Sequence, residues 1–291
     1  RIAGLGYSTV RHIPVDDRFR MEPDALAAQS KADKAAGLRP FLVVASIGTT
    51  DTSAVDPIPA IGRICQEEQL WLHLDAAYGG FFVLCEEGKK VISGLEYSDS
   101  IVMDPHKGLF MPYGIGVAVV KNGQQLANAH HYSANYMLDT LQMMDEASPA
   151  DLSPELTKHF RGLRMWLPLK LHGLAAFRAA IEEKLWLARY FWERLPELPH
   201  LERGPYPDLS VVLYRFVPPG VDADDFNLRL IARCQRDGRI FLSSTRIDGR
   251  VYLRMVALSF RTHRKTIDEC LAFLEEHVTG LLEDTHSLER P

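Results

Sequence analysis

Short apolar runs separated by helix-length stretches constrain this chain more than any other feature. FLVVAS (41–46), WLHLD (71–75), SIVMD (100–104) and IGVAVV (115–120) recur along the first half. The last two are too short for helices and lack polar alternation, as strands covered on both faces do. Between the runs, residues 22–36 and about 57–68 read as helices, and another strand is expected near residues 10–15. This βαβ rhythm predicts an α/β fold with a largely parallel, doubly covered sheet.

Beyond residue 120 the pattern changes. Residues 128–151 lose periodicity over a length that compact domains reserve for functional lids or linkers. Ser153 and Pro154 predict the cap and first turn of a helix. Leu163, Trp166, Leu167, Leu171 and Leu174 then follow at helical spacing, which predicts packing onto the sheet, with Pro168 a candidate kink and Gly173 an interruption. After a turn-rich stretch the order is strand (209–216), helix (223–237), strand (240–245), strand (251–257), helix (262–282), a small α+β domain. The division falls in the long helix, giving domains 1–185 and 186–291.

Composition excludes several classes. With 33 Lys and Arg against 38 Asp and Glu, the net charge is −5, and no basic tract suits a phosphate backbone, so nucleic acid is not an expected partner. No run of 18 apolar residues and no leader pattern point to a membrane or to secretion. Cys65, Cys85, Cys234 and Cys270 have no CxxC spacing, so a reducing, cytoplasmic setting is expected and no metal site. His130-His131 and His73-x-Asp75 lack the third ligand that would make either a metal centre.

In open α/β sheets, ligands bind beyond the carboxyl ends of the strands. Those ends carry Ile47-Gly48-Thr49-Thr50, Asp75-Ala76-Ala77-Tyr78-Gly79-Gly80 and Asp104-Pro105-His106-Lys107-Gly108. Gly48, Gly79, Gly80 and Gly108 are expected to let backbone approach a ligand. A lysine just after a buried strand is a candidate nucleophilic amine for a Schiff base. Asp75, about one βαβ step upstream, suits a pyridinium nitrogen, whose protonated form makes the ring an electron sink.

HLDAAYGG followed by DSIVMDPHKG, with GTT upstream, resembles the pyridoxal-phosphate-dependent amino-acid decarboxylases, the group that includes aromatic-L-amino-acid and glutamate decarboxylases. The resemblance runs from near residue 1 to about residue 279. It implies the aspartate-aminotransferase-like fold, with a large cofactor domain and a smaller C-terminal one, and a homodimer. It implies pyridoxal 5'-phosphate as cofactor, Lys107 as its Schiff-base lysine and Asp75 on the ring nitrogen. Ala77 would lie against the ring, Thr49 near its hydroxyl and His106 near the phosphate. Tyr136 would be the loop tyrosine that returns a proton to carbon, and Arg254, in VYLRMVA, the arginine that meets the substrate carboxylate. An arginine in an apolar strand otherwise needs a buried partner.

Three departures matter. Position 104 is Asp where the aromatic decarboxylases usually carry Asn, and a carboxylate repels a phosphate, so Asp104 is not read as a phosphate ligand. Gly108 stands where Trp is frequent. The chain opens on Arg1, and the ring-stacking residue and upstream phosphate turn of the family are expected in a portion that precedes it. The expected reaction is decarboxylation of an L-amino acid, aromatic before acidic. The alternatives are an aldehyde synthase or carbon–carbon lyase of the same fold, against which Tyr136 argues, and a non-catalytic interaction domain, against which Asp75 and Lys107 argue.

Overall fold

A computed structural model describes residue 6, residues 9–130 and residues 149–288. Helix α1 (Pro23–Ala35) precedes strand β1 (Leu42–Ser46), helix α2 (Ile58–Glu68) and strand β2 (Trp71–Asp75). A 3-10 turn, Gly80–Leu84, and helix α3 (Glu86–Val91) lead to strand β3 (Ser100–Met103), and the short helix α4 (Pro105–Gly108) to strand β4 (Val117–Val120). The sheet order is β1-β2-β3-β4, parallel between the first three strands and antiparallel at the last. Because β1, β2 and β3 run the same way, Ser46, Asp75 and Val102 sit side by side in register, and the segments that follow them open at one edge.

The second half begins with helix α5 (Gly123–His130) and, after a 3-10 turn at Pro149–Leu152, the long helix α6 (Leu163–Arg194). Strands β5 (Leu201–Arg203) and β6 (Val211–Phe216), helix α7 (Ala223–Asp237), strands β7 (Ser243–Ile247) and β8 (Arg250–Val256), and helix α8 (Arg264–Leu288) complete it. The second sheet, ordered β5-β6-β8-β7, is antiparallel throughout. Helix α7 has both of its ends specified locally. Asp222 Oδ1 accepts from Asp225 N (2.8 Å), and Gly238 takes the left-handed conformation after the last turn (φ 80°).

Two cores hold the molecule. Val43, Ala45, Leu72, Leu74, Ile58, Ile61 and Phe82 close one face of the first sheet, joined by Ile181 and Leu185 of α6. From Leu187 onward α6 turns its buried residues to the second core, with Tyr214, Phe216, Phe226 and Leu274. Each such side chain contributes about 1.5–3 kcal/mol by leaving water. The two halves are tied by Asp208, which pairs with Arg18 and accepts from Val55 N (3.0 Å), and by Val211 N donating to Ser53 Oγ (3.2 Å).

Several expectations are corrected. Residues 10–15 form no strand; Val15 makes only an isolated bridge to Met21. Residues 128–130 complete α5, so the aperiodic stretch starts later than its composition suggests. No helix starts at Ser153, because its hydroxyl donates to the Pro149 carbonyl (3.3 Å) instead of capping a downstream N–H, and α6 begins at Leu163. The first sheet is not covered on both faces among the described residues: Leu42 and Val44 of β1 are exposed while Val43 and Ala45 are buried. The stripe from Leu163 to Leu174 does not pack onto the sheet either; Trp166 and Leu171 are 57% and 69% exposed. Gly173 (φ 69°, ψ 165°), not Pro168, marks the non-helical point in α6, a conformation that a residue with Cβ resists. The fully buried residues of α6 all lie beyond it, while Met165 and Leu169 before it pack against the edge of the first core.

Candidate active site

The chemistry gathers where β2 and β3 end. Asp75 is the last residue of β2, and its Oδ1 accepts from Ala77 N (3.2 Å), which closes a tight turn. Oδ2 of Asp75 has no hydrogen-bond partner among the described residues. The Ala77 carbonyl accepts from Asp104 N (3.2 Å), so the turn after β2 is bonded directly to the residue that follows β3. Asp104 precedes α4, and this single turn presents Lys107. Its Nζ lies 2.9 Å from Asp104 Oδ2. Asp75, Ala77, Asp104 and Lys107 thus form one connected group at adjacent parallel strand ends, where a ligand is expected in such sheets.

His106 shares the turn with Lys107. Its Nδ1 is 3.3 Å from the Ile115 carbonyl, its Nε2 is 3.7 Å from Asp104 Oδ2, and its ring lies against Tyr113 at 4.8 Å between centroids. From α6, Arg164 Nη1 donates to the Tyr113 and Gly114 carbonyls (3.1 and 3.3 Å) and pins the loop beside His106. On β2, His73 Nδ1 meets Ser100 Oγ (2.7 Å). Burial holds its imidazole below the usual range, against the opposing charge of Asp75.

Thr49 lies in the adjoining turn but is occupied by it. Its Oγ1 is 2.7 Å from Thr52 Oγ1 and accepts from Ala54 N (3.2 Å). The same loop is gripped from the second sheet: Arg254 donates to the Asp51 carbonyl (3.1 Å) and to the Thr50 carbonyl, and Thr245 Oγ1 donates to Asp51 Oδ1 (2.8 Å). The partners of Arg254 are therefore exposed backbone carbonyls rather than a buried carboxylate. Tyr136 lies outside the described residues, as does His131.

The glycines take a different role from the one expected. A Cβ at Gly48 (φ 90°) would meet Leu209 Cδ1 at 2.9 Å, and one at Gly79 would meet the Ile47 carbonyl oxygen at 2.4 Å. Gly80 is likewise filled by Met103 and Gly108 by Phe81. These positions let protein approach protein; Gly48 and Gly79 admit Leu209, whereas Gly80 and Gly108 admit side chains of the first half. Tyr78, beside them, is bonded to Ser210 (O···O 2.6 Å), and burial pushes its hydroxyl up to about 12. No sequence signal links residues so far apart. The Asp104–Lys107 pair, at i, i+3 on one turn, was recoverable from spacing.

Comparison with known proteins agrees with this geometry. The pyridoxal-dependent decarboxylase conserved domain matches residues 1–215. An aromatic-L-amino-acid decarboxylase of Bacillus atrophaeus is 31% identical over 279 residues, covering 94% of this chain and 58% of its own length. A phenylacetaldehyde synthase of Arabidopsis thaliana is 28% identical, covering 97% of this chain and 59% of its own. The crystal structure of Oryza sativa TDC with PLP and tryptamine superposes with a TM-score of 0.88 at 25% identity, over 96% of this chain and 59% of that one. The fold is that of the pyridoxal-phosphate-dependent decarboxylases, and the chain belongs to the pyridoxal-dependent decarboxylase family. It spans little more than half the length of these relatives.

The residues present fit the family's cofactor, pyridoxal 5'-phosphate. A strand-end carboxylate with one oxygen unengaged suits a protonated ring nitrogen, and an amine one turn after the next strand suits the aldehyde carbon. No helix among the described residues is long and apolar enough to cross a membrane.

Proposed function

We propose that this chain holds the cofactor for decarboxylation of an L-amino acid, aromatic before acidic, to an amine and carbon dioxide. The observation that carries the reading is the bonded group Asp75, Ala77, Asp104 and Lys107 at adjacent strand ends. Bound pyridoxal phosphate supplies an electron sink for the pair left behind when carbon dioxide departs. Lys107 holds it covalently. Asp75 keeps the ring nitrogen protonated, a charge-assisted contact worth about 1.5–3 kcal/mol. Ala77 lies against the ring, Thr49 near its hydroxyl and His106 toward the phosphate. Arg254 serves the substrate carboxylate, after releasing or sharing its carbonyl partners. Tyr136 returns the proton to carbon. The working unit is a homodimer, with the cofactor domain in residues 1–185 and the small domain in 186–291.

A yellow absorbance band on adding pyridoxal phosphate, trapped by borohydride on Lys107 and accompanied by carbon dioxide release from one member of an amino-acid panel, is the expected result. A colourless chain in excess cofactor overturns the reading in favour of a non-catalytic domain. The likeness to a phenylacetaldehyde synthase supports a second reading, oxidative conversion to an aldehyde. Tyr136 decides between them. General acid catalysis is worth about 10²–10⁴-fold, so Tyr136→Phe should slow amine formation by that much and let dioxygen take the unprotonated electron pair, giving aldehyde, ammonia and hydrogen peroxide after hydrolysis. Unchanged amine production removes Tyr136 from the role.

A further inference from the structure

We infer that Asp104 is the resident counter-ion of Lys107, holding its ammonium in place until a carbonyl compound takes the amine; this rests on Lys107 being the cofactor lysine. The carboxylate has no competing local task. Asp104 sits where a helix cap would, yet its side chain accepts no bond from the N–H groups of α4. Oδ2 lies 2.9 Å from Lys107 Nζ and 3.7 Å from His106 Nε2. Asp104 N is tied to Ala77 O (3.2 Å), so the carboxylate is anchored to the turn that carries Asp75.

Other ionisable groups around the turn come from its neighbours. Tyr113 stacks on His106, Arg164 of α6 is occupied by the Tyr113 and Gly114 carbonyls, and Asp75 sits one strand away. The 3-10 turn packed on α4 contributes Phe81, which does not titrate. Asp104 is therefore the closest anion to the lysine that these contacts define. The ion pair must part before the nitrogen can react. Only the amine attacks a carbonyl carbon: the ammonium first gives its proton to buffer, the nitrogen lone pair forms the bond, and water leaves as the C=N bond is made.

Two carbonyl probes separate this role from simple repulsion of a phosphate. The full chain is treated with pyridoxal phosphate or with pyridoxal, which lacks the phosphate, and reduced. Adduct at Lys107 is then measured by peptide mass spectrometry against Lys121, whose ammonium donates to the Glu96 carbonyl (2.7 Å). Asp104→Asn should raise the Lys107 to Lys121 ratio on the order of 1.5- to 5-fold near pH 7 with both probes, the size expected of a partly exposed ion pair. Asp104→Glu, which keeps the charge, should stay near the wild-type ratio, and it tests the idea should the amide variant fold poorly. A gain confined to pyridoxal phosphate would make Asp104 a brake on the phosphate and overturn the inference, as would an unchanged or lowered ratio. Lys107→Ala keeps the two levels apart. Should that variant still form the specific adduct at another lysine, the functional reading fails. When it loses the adduct while Asp104→Asn behaves as wild type, only the counter-ion inference fails.

Discussion

In the antiparallel sheet all six residues of β6 are buried, whereas in the mainly parallel sheet β1 exposes Leu42 and Val44 between buried Val43 and Ala45. The two strands are almost equally apolar in sequence. Their difference lies in what is packed on them: Val212, Tyr214 and Phe216 of β6 join α6, α7 and α8 in one core and its alternate residues are buried as well, while β1 buries only Val43 and Ala45. The antiparallel sheet serves cohesion and sends Arg254 and Thr245 toward the loop at Thr50 and Asp51. The half-covered sheet carries the reactive groups, all at its strand ends. Stability and chemistry are thus concentrated in different sheets, joined by Tyr78–Ser210, Asp208 and the glycines that admit Leu209.

The sharpest way to break this contrast is at the site. Lys107→Ala should abolish the borohydride-reducible adduct with pyridoxal phosphate, read by mass spectrometry, while leaving the thermal unfolding midpoint nearly unchanged. A reduced cofactor found on any other lysine would move the site elsewhere. Asp75→Asn should keep the adduct yet lower turnover of the functional enzyme by orders of magnitude; near-normal turnover removes Asp75 from the ring nitrogen.

Next come the two sheets themselves. Phe226→Ala, in the closed second core, should cost about 3–5 kcal/mol in denaturant unfolding. Val44→Ala, on the open face of β1, should cost no more than about 0.5 kcal/mol. Comparable losses at the two positions would show that Val44 is covered in solution. An effect between these two is expected at the seam, where Tyr78→Phe leaves buried Ser210 without its 2.6 Å partner and should cost about 1–2 kcal/mol, with the adduct at Lys107 retained. Loss of the adduct in that variant would make the seam part of the cofactor site.

Residues near strand ends were readable because chemistry there depends on local order. Asp75 closes β2, Lys107 follows β3 by one turn, and a parallel arrangement brings the two ends together whatever the rest of the chain does. Helix α7 was equally legible, since its apolar spacing, Asp222 and Gly238 act within a few residues of one another. Reading failed where the deciding neighbour was distant. The leucines from Leu163 to Leu174 have the spacing of a packed face but no surface among the described residues to pack on, and Ser153 spends its hydroxyl on the Pro149 carbonyl.

What the sequence determined by itself was therefore the order of most elements, the mainly parallel ladder and the placement of Asp75 and Lys107 at adjacent strand ends, because periodicity, caps and strand ends are short-range properties. Tertiary structure alone decided that Gly48 and Gly79 admit Leu209, that Arg254 grips two loop carbonyls and that Tyr78 meets Ser210. Each of these depends on which surface arrives from more than a hundred residues along the chain, and packing against such a surface is set by its shape and polarity, which no local pattern encodes.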